Sequence, residues 1–545
     1  MKIMKFAAVQ LFCVTASMML SGCDAFLSVD PQTNWDNDKF YANKDEVELG
    51  VVGIYNYLGL DATYGQAIPC MYEAGTDESV FNRSNASWAV AVNQHTPAEP
   101  DIKKTWLALY AGIEAANNFL VKVPSTPGLT DAERMNYMAQ ARFLRALFYY
   151  DLVRLWGEVP LRLKPATGID DNNLAASSIE TVYNQIIADL ELAALGLPHA
   201  KDVKDFGRAN KMAAHGLLAR VYLNMAGFPL QKTEMYAKAS AQCDSVIVDG
   251  WHQLNTNGYK QVFLNYIKDI NDPVENLFEV QFSNMKAQGL REDGRHGNIN
   301  GVQFSYGGEG YPYSYGFMQL GVRMITLFES NDERFGWNCA SYKYDNKNME
   351  VSRITSNLFW WPGKFRRWEP QNWADVDKKG KNEPIVYLEN IAAPDKNFTG
   401  INFPLLRYAD ILLMKAECEN EMNGPANAYG YVNQVRARAK ASAINDVTVP
   451  DQAAMRQFIR DERLRELCFE GRRKGDLIRW GILGETLQAT KALIESTPGY
   501  SPSNTNHTIL VQMAVNYSEP RHLYLPYPLQ EVTNNDLLDQ RAEWQ

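Results

Sequence analysis

The stretch TDAERMNYMAQARFLRALFYYDLVRLWG, residues 130–157, decides the fold class. Thr130 with Glu133 three residues later forms a capping box, a frequent start of a helix, and Gly157 and Pro160 mark its end. Apolar residues recur between these points, all but the adjacent Ala146 and Leu147 at spacings of three to five: Met135, Met138, Phe143, Ala146, Leu147, Tyr150 and Val153. The stretch therefore predicts a long helix with one side against a core.

Further helices of similar length are predicted along the chain. A second capping box, Ser177 to Glu180, opens one of them. Others are expected at 209–226, 234–248, 405–422, 427–440 and 452–469. Small residues such as Ala213 and Gly216 would let antiparallel neighbours pack closely. We therefore predict a mainly α fold, a tetratricopeptide-like helical-repeat scaffold, although no strict period of about 34 residues survives.

A segment of different composition separates two helical parts. Gly, Asn, Asp and Pro interrupt any periodicity from about 250 to 400, and Phe, Trp and Tyr supply 17 of the 76 residues from 300 to 375. A long loop-rich insertion in a helical protein usually carries function. We expect an N-terminal helical part at 41–250, an aromatic-rich ligand-binding insertion at 251–400, and a C-terminal helical part with a tail at 401–545.

The first 40 residues predict export and a lipid anchor. Lys2 and Lys5 precede an apolar stretch of 15 residues, Phe6 to Leu20, which is too short to span a bilayer and is typical of a signal peptide at 1–22. The run Leu20-Ser21-Gly22-Cys23 resembles the lipobox of bacterial lipoproteins, so Cys23 is the expected lipidation site. The alternative is an ordinary signal peptide with a chance cysteine. Residues 23–40 would form the lipidated tether.

Charge and motif content exclude several classes of function. The net charge is −10 with a pI near 5.4, and no cluster of Lys and Arg could hold a nucleic acid backbone. No metal-binding, nucleotide-binding or hydrolase motif occurs, so no cofactor or metal is expected. Five cysteines are widely spaced and are expected to be small core residues: Cys70, Cys243, Cys339, Cys418 and Cys468.

Three stretches carry a family resemblance: ARFLRALFYYDLVRLWGEVPL at 141–161, FPLLRYADILLMKAECENE at 403–421 and RDERLRELCFEGRRKGDLIRWG at 460–481. Together with the mature start CDAFLSVDP and the closing LYLPYPLQEVTNNDLL, they resemble the SusD/RagB family of nutrient-binding outer-membrane lipoproteins of Bacteroidetes. The resemblance spans nearly the whole mature chain. The terminal YLPYP and QRAEWQ depart from the family's usual LYPIP and QNPGW, in a structural tail.

The resemblance implies a surface lipoprotein that captures oligosaccharides, or peptides in some members. It also implies a partner, a SusC-like TonB-dependent β-barrel transporter in the outer membrane, on which the protein would sit as a lid. The expected function is therefore a non-enzymatic, glycan-binding role in nutrient uptake. A peptide-binding receptor is the alternative within the same scaffold.

A glycan site needs aromatic rings for the C–H faces of sugars and short polar groups for their hydroxyls. Two segments satisfy that demand, TDESVFNRSNASWAV at 76–90 and FSYGGEGYPYSYGF at 304–317. The family resemblance favours an early-loop tryptophan and insertion aromatics as ligand contacts. The candidates are Asp77, Arg83, Asn85, Trp88, Tyr306, Tyr311, Tyr313 and Tyr315. Local loop packing is the alternative for each tyrosine, and a solvated surface charge for Arg83.

The stretch NLFWWPGKFRRW, residues 357–368, could be a core wedge or a ligand surface. We interpret Phe359, Trp361 and Phe365 as core. Trp360, together with Trp337, remains a candidate ligand contact.

The charges of the third stretch look chemical but are interpreted as structural. Asp461 with Arg465, and Arg463 with Glu466, have the spacing of ion pairs on one helix, which Gly471 would end. A catalytic carboxylate pair is the sharper alternative. A surface glycoside hydrolase would need two carboxylates about 5 to 10 Å apart. The only ones near the proposed site are Asp77, Glu78 and Glu309.

Overall fold

The computed structural model describes residues 40–83, 86–283, 293–304, 312–345, 350–376, 385–389 and 395–545. Its helices are α1 Lys44–Asn56, α2 Pro100–Lys122, α3 Asp131–Trp156, α4 Ile179–Gly196, α5 Lys211–Ala226, α6 Met235–Asp249, α7 Tyr259–Lys268, α8 Val322–Thr326, α9 Arg334–Asn338, α10 Trp373–Val376, α11 Tyr408–Asn423, α12 Tyr429–Arg438, α13 Gln452–Leu467, α14 Arg473–Arg479, α15 Leu483–Ser496, α16 Thr505–Thr508, α17 Gln512–Val515 and α18 Leu529–Asn534. The strands are β1 Ser79–Phe81, β2 Val159–Pro160, β3 Ala176–Ser177, β4 Asn276–Val280, β5 Met318–Leu320, β6 Cys339–Ala340, β7 Tyr342–Asp345, β8 Glu350–Arg353, β9 Trp361–Pro362, β10 Trp368–Pro370, β11 Ile385–Tyr387 and β12 Phe403–Arg407.

Helices that follow one another along the chain also pack on one another, which is the arrangement of a helical-repeat scaffold. α3 packs on α2 and α4, α5 lies between α4 and α6, and α6 contacts α11. The segment between α6 and α11 is therefore inserted between two helices that are neighbours in the stack. β12 returns from this segment by pairing antiparallel with β4. The mainly α, tetratricopeptide-like scaffold predicted from the sequence is confirmed.

Helix α3 begins and ends as its sequence predicts. The backbone N–H of Glu133 donates to Thr130 Oγ1 at 3.3 Å, and the N–H of Thr130 donates to Glu133 Oε2 at 3.0 Å. Gly157, with φ of +69°, follows its last residue. The burial differs from the one-sided prediction, because Met135 is 54% exposed while every residue from 143 to 153 is buried. Coverage by α2 and α4 on two sides explains this.

The predicted start of α4 is wrong by one residue. Its cap is Ser178, whose hydroxyl accepts from the N–H of Thr181 at 3.2 Å. Ser177 instead pairs with Val159 in the short β2–β3 ladder. The helix begins at Ile179, so the residue directly before it, Ser178, is the cap. Sequence spacing alone does not distinguish two adjacent serines.

The second half of the charged helix α13 is buried and joins two parts of the chain. Glu462 and Glu466 are fully buried, and Glu466 contacts Arg334 at 3.2 Å, Arg407 at 3.1 Å, and Arg438. Arg334 also contacts Glu462 at 2.8 Å. We call these five residues the ionic cluster. Arg334 belongs to the insertion and Arg407 and Arg438 to the C-terminal helical part, so the cluster fixes one to the other.

The ion pairs predicted within α13 are replaced by pairs that cross the fold. Arg463 binds Asp410 and Asp476, each at 2.8 Å, and Asp461 pairs with Arg323 of α8. The structural interpretation of these charges holds, but the partners differ because the helix is enclosed. α13 also ends at Leu467, before Gly471, and the chain then turns into α14.

Burial tests the predictions made for the cysteines and for the stretch NLFWWPGKFRRW. All five cysteines are free and buried, as expected. Trp361 and Phe365 are buried, as predicted, whereas Phe359 is only partly buried. Between them Lys364 is fully buried, and its Nζ binds Glu470 at 2.7 Å.

The described ranges lack the features of a transmembrane helix and of a clustered metal site. Among those residues, no helix combines the length and apolar character needed to cross a bilayer. Within the same ranges, no group of three or more His, Cys, Asp or Glu side chains is arranged to hold a metal ion. Cys23 and residues 24–39 of the proposed tether lie outside the described residues.

Candidate functional site

A short antiparallel ladder brings the two predicted site segments together. β1 pairs with β5 so that Val80 lies opposite Gln319 and Phe81 opposite Met318. Beyond the ladder, the N–H of Asn82 donates to the carbonyl of Phe317 at 3.1 Å. Segments more than 200 residues apart in sequence therefore form one surface. Nothing local in either segment predicted this pairing.

Five aromatic rings follow one another across this junction. The centroid distances are 4.7 Å from Tyr313 to Tyr315, 5.3 Å from Tyr315 to Phe317, 5.6 Å from Phe317 to Trp88 and 5.3 Å from Trp88 to Phe81. The first three rings are partly buried, and the last two are buried. The row therefore runs from the partly exposed rings of Tyr313, Tyr315 and Phe317 into the core.

Trp88 lies in the core, which corrects the expectation that it offers a ring to a ligand. It is 4% exposed, and it stacks on Phe81 with an interplanar angle of 18°. Phe317 closes a second side at 82°. With both faces covered in this way, Trp88 supports the row of rings instead of contacting what binds there.

Asp77 is also buried, which corrects its assignment as a ligand contact. Its carboxylate is 0% exposed and binds Arg473 at 2.7 Å and Arg323 at 3.2 Å. Burial alone would raise its pKa, but the two guanidinium groups lower it. The neighbouring Glu78 has a pKa raised to about 8 by burial. Because both carboxylates are sealed inside the protein, they cannot reach a glycosidic bond.

Arg83 and the two described tyrosines remain at the surface of the junction. Arg83 donates to the carbonyl of Tyr315 at 2.7 Å, and its guanidinium carbon lies 4.8 Å from the centre of the Phe317 ring. Partial burial lowers the pKa of Arg83. The hydroxyl of Tyr315 donates to Asn397 at 2.7 Å. These contacts hold Arg83 and Tyr315 in fixed positions.

A cleft of about 450 Å³ opens beside this group, and we call it the junction cleft. It is lined by Asn82, Arg83, Gln303, Gln319, Lys343, Arg353, Ile354, Thr355, Ser356, Phe359, Trp361 and Asn506. Gln319 Oε1 and Trp361 Nε1 are buried without a hydrogen-bond partner among the described residues. An unsatisfied buried acceptor and donor at one cleft are where a polar ligand gains most.

Most of the junction cleft was missed by sequence reasoning. Gln303 and Gln319 carry no motif, and Trp361 was interpreted as core. Trp361 is in fact both, since it is 5% exposed yet lines the cleft. The available signal was the combination of aromatic and amide residues in the insertion, which indicates a site without showing which residues meet.

Trp337 and Trp360 do not line the junction cleft. Trp337 is 4% exposed, with the Arg366 guanidinium 4.3 Å and the Lys260 ammonium 5.0 Å from its ring centre. Trp360 is half-buried and packs 6.0 Å from Phe335. Both belong to or pack against one apolar cluster, and Trp337 also lines a separate cleft. Their contact with a ligand therefore stays a prediction.

The remaining candidates lie outside the described residues: Asn85, Tyr306, Tyr311 and Glu309.

Comparisons with known proteins agree with this fold. A sequence model of the SusD family matches residues 275–544, and one described as "Starch-binding associating with outer membrane" matches residues 26–223. A SusD-like protein of Formosa agariphila is 28% identical over 534 residues, covering 95% of this chain and 94% of the relative. The starch-binding protein SusD of Bacteroides thetaiotaomicron is 26% identical over 505 residues, covering 83% and 86%. A crystal structure of a SusD homologue from Bacteroides thetaiotaomicron has a TM-score of 0.80 at 27% identity, covering 94% of this chain and 100% of that one.

Proposed function

The chain belongs to the SusD/RagB family, and from that premise we propose that it is a cell-surface glycan-binding protein whose ligand enters the junction cleft. The family and relative names describe binding proteins, not enzymes. The protein would hold an oligosaccharide without cutting it.

The observation that carries the proposal is the meeting of rings and amides at the β1–β5 junction. Tyr313, Tyr315 and Phe317 form a row of rings, and the unpartnered Gln319 and Trp361 polar atoms lie at the neighbouring cleft. Sugars carry C–H faces that pack on rings and hydroxyls that donate to and accept from amides. The cleft is open and of the size of small-ligand sites, roughly 300–1,000 Å³.

Location and delivery complete the proposal. Acylation at Cys23 would attach the protein to the outer membrane. The description of one matching family model also names association with the outer membrane. A SusC-like TonB-dependent β-barrel transporter would then receive the captured oligosaccharide. Both steps follow from the family premise and the lipobox-like sequence.

Affinity gel electrophoresis tests the binding step. The mature chain is run in separate gels, some containing neutral plant, host or microbial glycans and others containing acidic glycans. Binding of a peptide mixture is measured in a parallel titration. We expect at least one glycan to slow migration. Binding of peptides with no glycan response would favour the peptide-receptor alternative and contradict the proposal.

Variants of Tyr315 locate the site within the chain. Tyr315→Ala removes the ring and should weaken binding roughly fivefold to tenfold, whereas Tyr315→Phe keeps the ring and should bind nearly as well. Tyr57→Ala is the matched control, since Tyr57 is a partly buried tyrosine beside α1 and away from the cleft. Equal affinity in all three variants would remove the rings from the site.

A further inference from the structure

The described lining of the junction cleft contains positive charges and no carboxylate. Arg83, Lys343 and Arg353 supply three cations, and the other nine lining residues are neutral. The protein as a whole has a net charge of −10. A cationic lining is therefore opposite in sign to the average surface of this chain.

Four other clefts in the described structure differ from the junction cleft because their linings contain carboxylates. Each includes at least one carboxylate: Asp269 and Glu279 in the first, Glu73 in the second, Glu417 and Glu421 in the third, and Glu333 and Glu369 in the fourth. Their cations therefore have acidic neighbours within the same cavity. Arg353 also lines the fourth cleft, beside Glu333 and Glu369, so it is not counted here. Of these five clefts, Arg83 and Lys343 line the junction cleft alone, where no acidic group is described.

The described hydrogen-bond acceptors of Arg83 are neutral. Arg83 donates to the side-chain oxygen of Asn82 at 2.8 Å and to the Tyr315 carbonyl. Lys343 is exposed on β7. Arg353 on β8 stacks over the Trp373 ring at 4.8 Å. Arg83 is half-buried with neutral acceptors only, so a ligand that brings a negative charge would meet a guanidinium that no described carboxylate neutralises.

We infer that the ligand of the junction cleft is an anionic glycan, one that carries either the carboxylate groups of uronic acids or sulfate esters. The inference rests on the proposed function and names the class of glycan for that same site. The rings hold the sugar faces, and Arg83 and Lys343 bind the acidic substituents. Trp361, whose buried N–H has no hydrogen-bond partner among the described residues, lies at the wall of the same cleft.

Isothermal titration calorimetry distinguishes uronic acid carboxylates from sulfate esters as the source of the ligand's charge. The mature chain is titrated with oligogalacturonate, with sulfated carrageenan oligosaccharides, and with neutral maltooligosaccharide and laminarin oligosaccharides. We expect one acidic series to bind at least tenfold more tightly than either neutral series. Raising the salt concentration to about 0.5 M should weaken that binding, because screening acts on charge pairs and not on ring stacking.

Charge variants test the cleft itself. Lys343→Gln should weaken acidic binding roughly fivefold and weaken neutral binding by clearly less. Lys204→Gln, at an exposed lysine in the loop between α4 and α5, removes the same charge elsewhere and should change nothing. Because Lys343 is exposed, the variant should fold normally.

The possible outcomes are distinct. Tight binding of a neutral glycan, unaffected by Lys343→Gln or salt, would overturn the anionic inference and leave the proposed function standing. If Lys343→Gln does not weaken the binding of acidic glycans, the inference is also overturned, because the acidic groups would then bind elsewhere on the protein. No glycan binding of any kind would overturn both.

Discussion

Replacing Glu466 with glutamine should destabilise the whole protein, because its carboxylate is shared by three buried guanidinium groups. Glu466 is 0% exposed, and it contacts Arg334, Arg407 and Arg438, which are themselves 5% exposed or less on their side chains. Glutamine keeps the shape of the side chain but removes the charge. The three arginines would then be left with one fewer counterion inside the protein.

The magnitude follows from burial and from the pKa of the group. Burial alone would raise the pKa of Glu466, but the Arg438, Arg407 and Arg334 charges lower it from 4.5 to about 2. That fall corresponds to about 3 kcal/mol of preference for the ionised form. Removing one partner of a buried ion pair costs about 3 to 5 kcal/mol in other proteins. We therefore expect Glu466→Gln to lower the free energy of unfolding by about 3 kcal/mol.

Urea denaturation followed by tryptophan fluorescence, at pH 7, measures this loss. Glu158→Gln is the matched control, since Glu158 is exposed, and it should change the free energy of unfolding by less than about 0.5 kcal/mol. The depressed pKa also sets the pH dependence. The contribution of Glu466 is fully present above pH 4.5 and is lost as the pH falls toward about 2, so the gap between wild type and variant should narrow over that range. A loss below about 1 kcal/mol at pH 7 would refute the reasoning.

Three other changes have defined outcomes. Glu78→Gln should gain stability relative to wild type as the pH rises from 4.5 to about 8 in urea titrations, because burial raises the Glu78 pKa to about 8 and ionising it costs folding energy; a gap that does not change with pH would contradict this. Trp88→Ala should lower the free energy of unfolding by about 3 to 5 kcal/mol in the same assay, because it leaves a cavity at a core position. A shift of only a degree or two in the melting temperature would contradict the buried position of Trp88. Cys23→Ala should move the protein from the membrane fraction to the soluble fraction, with no acyl mass; continued membrane attachment would contradict the anchor.

The helical scaffold could be predicted from the sequence because its signals are local. The capping box of Thr130 and Glu133 and the stop at Gly157 act within a few residues of the chain. The burial around α3 could not be predicted in this way, since it depends on α2 and α4 covering it. The same holds for Arg463, which has the spacing to pair with Glu466 but binds Asp410 and Asp476 because the helix is enclosed.

The candidate site was predicted by composition and only partly by residue. Tyr313, Tyr315 and Arg83 lie where the two segments meet, but Trp88 and Asp77 point into the protein. A tryptophan or an aspartate in a loop has the same sequence pattern whether it faces a ligand or the core. The β1–β5 pairing, which joins residues more than 200 positions apart, decides whether such a side chain faces a ligand or the core.

A crystal structure with an acidic oligosaccharide, chosen by titration, tests the central claim most directly. We predict density for a sugar in the junction cleft, with an oxygen near Trp361 Nε1 and an acidic group within hydrogen-bond distance of Arg83 or Lys343. Density for the same ligand elsewhere on the scaffold, with the junction cleft empty, would contradict the account.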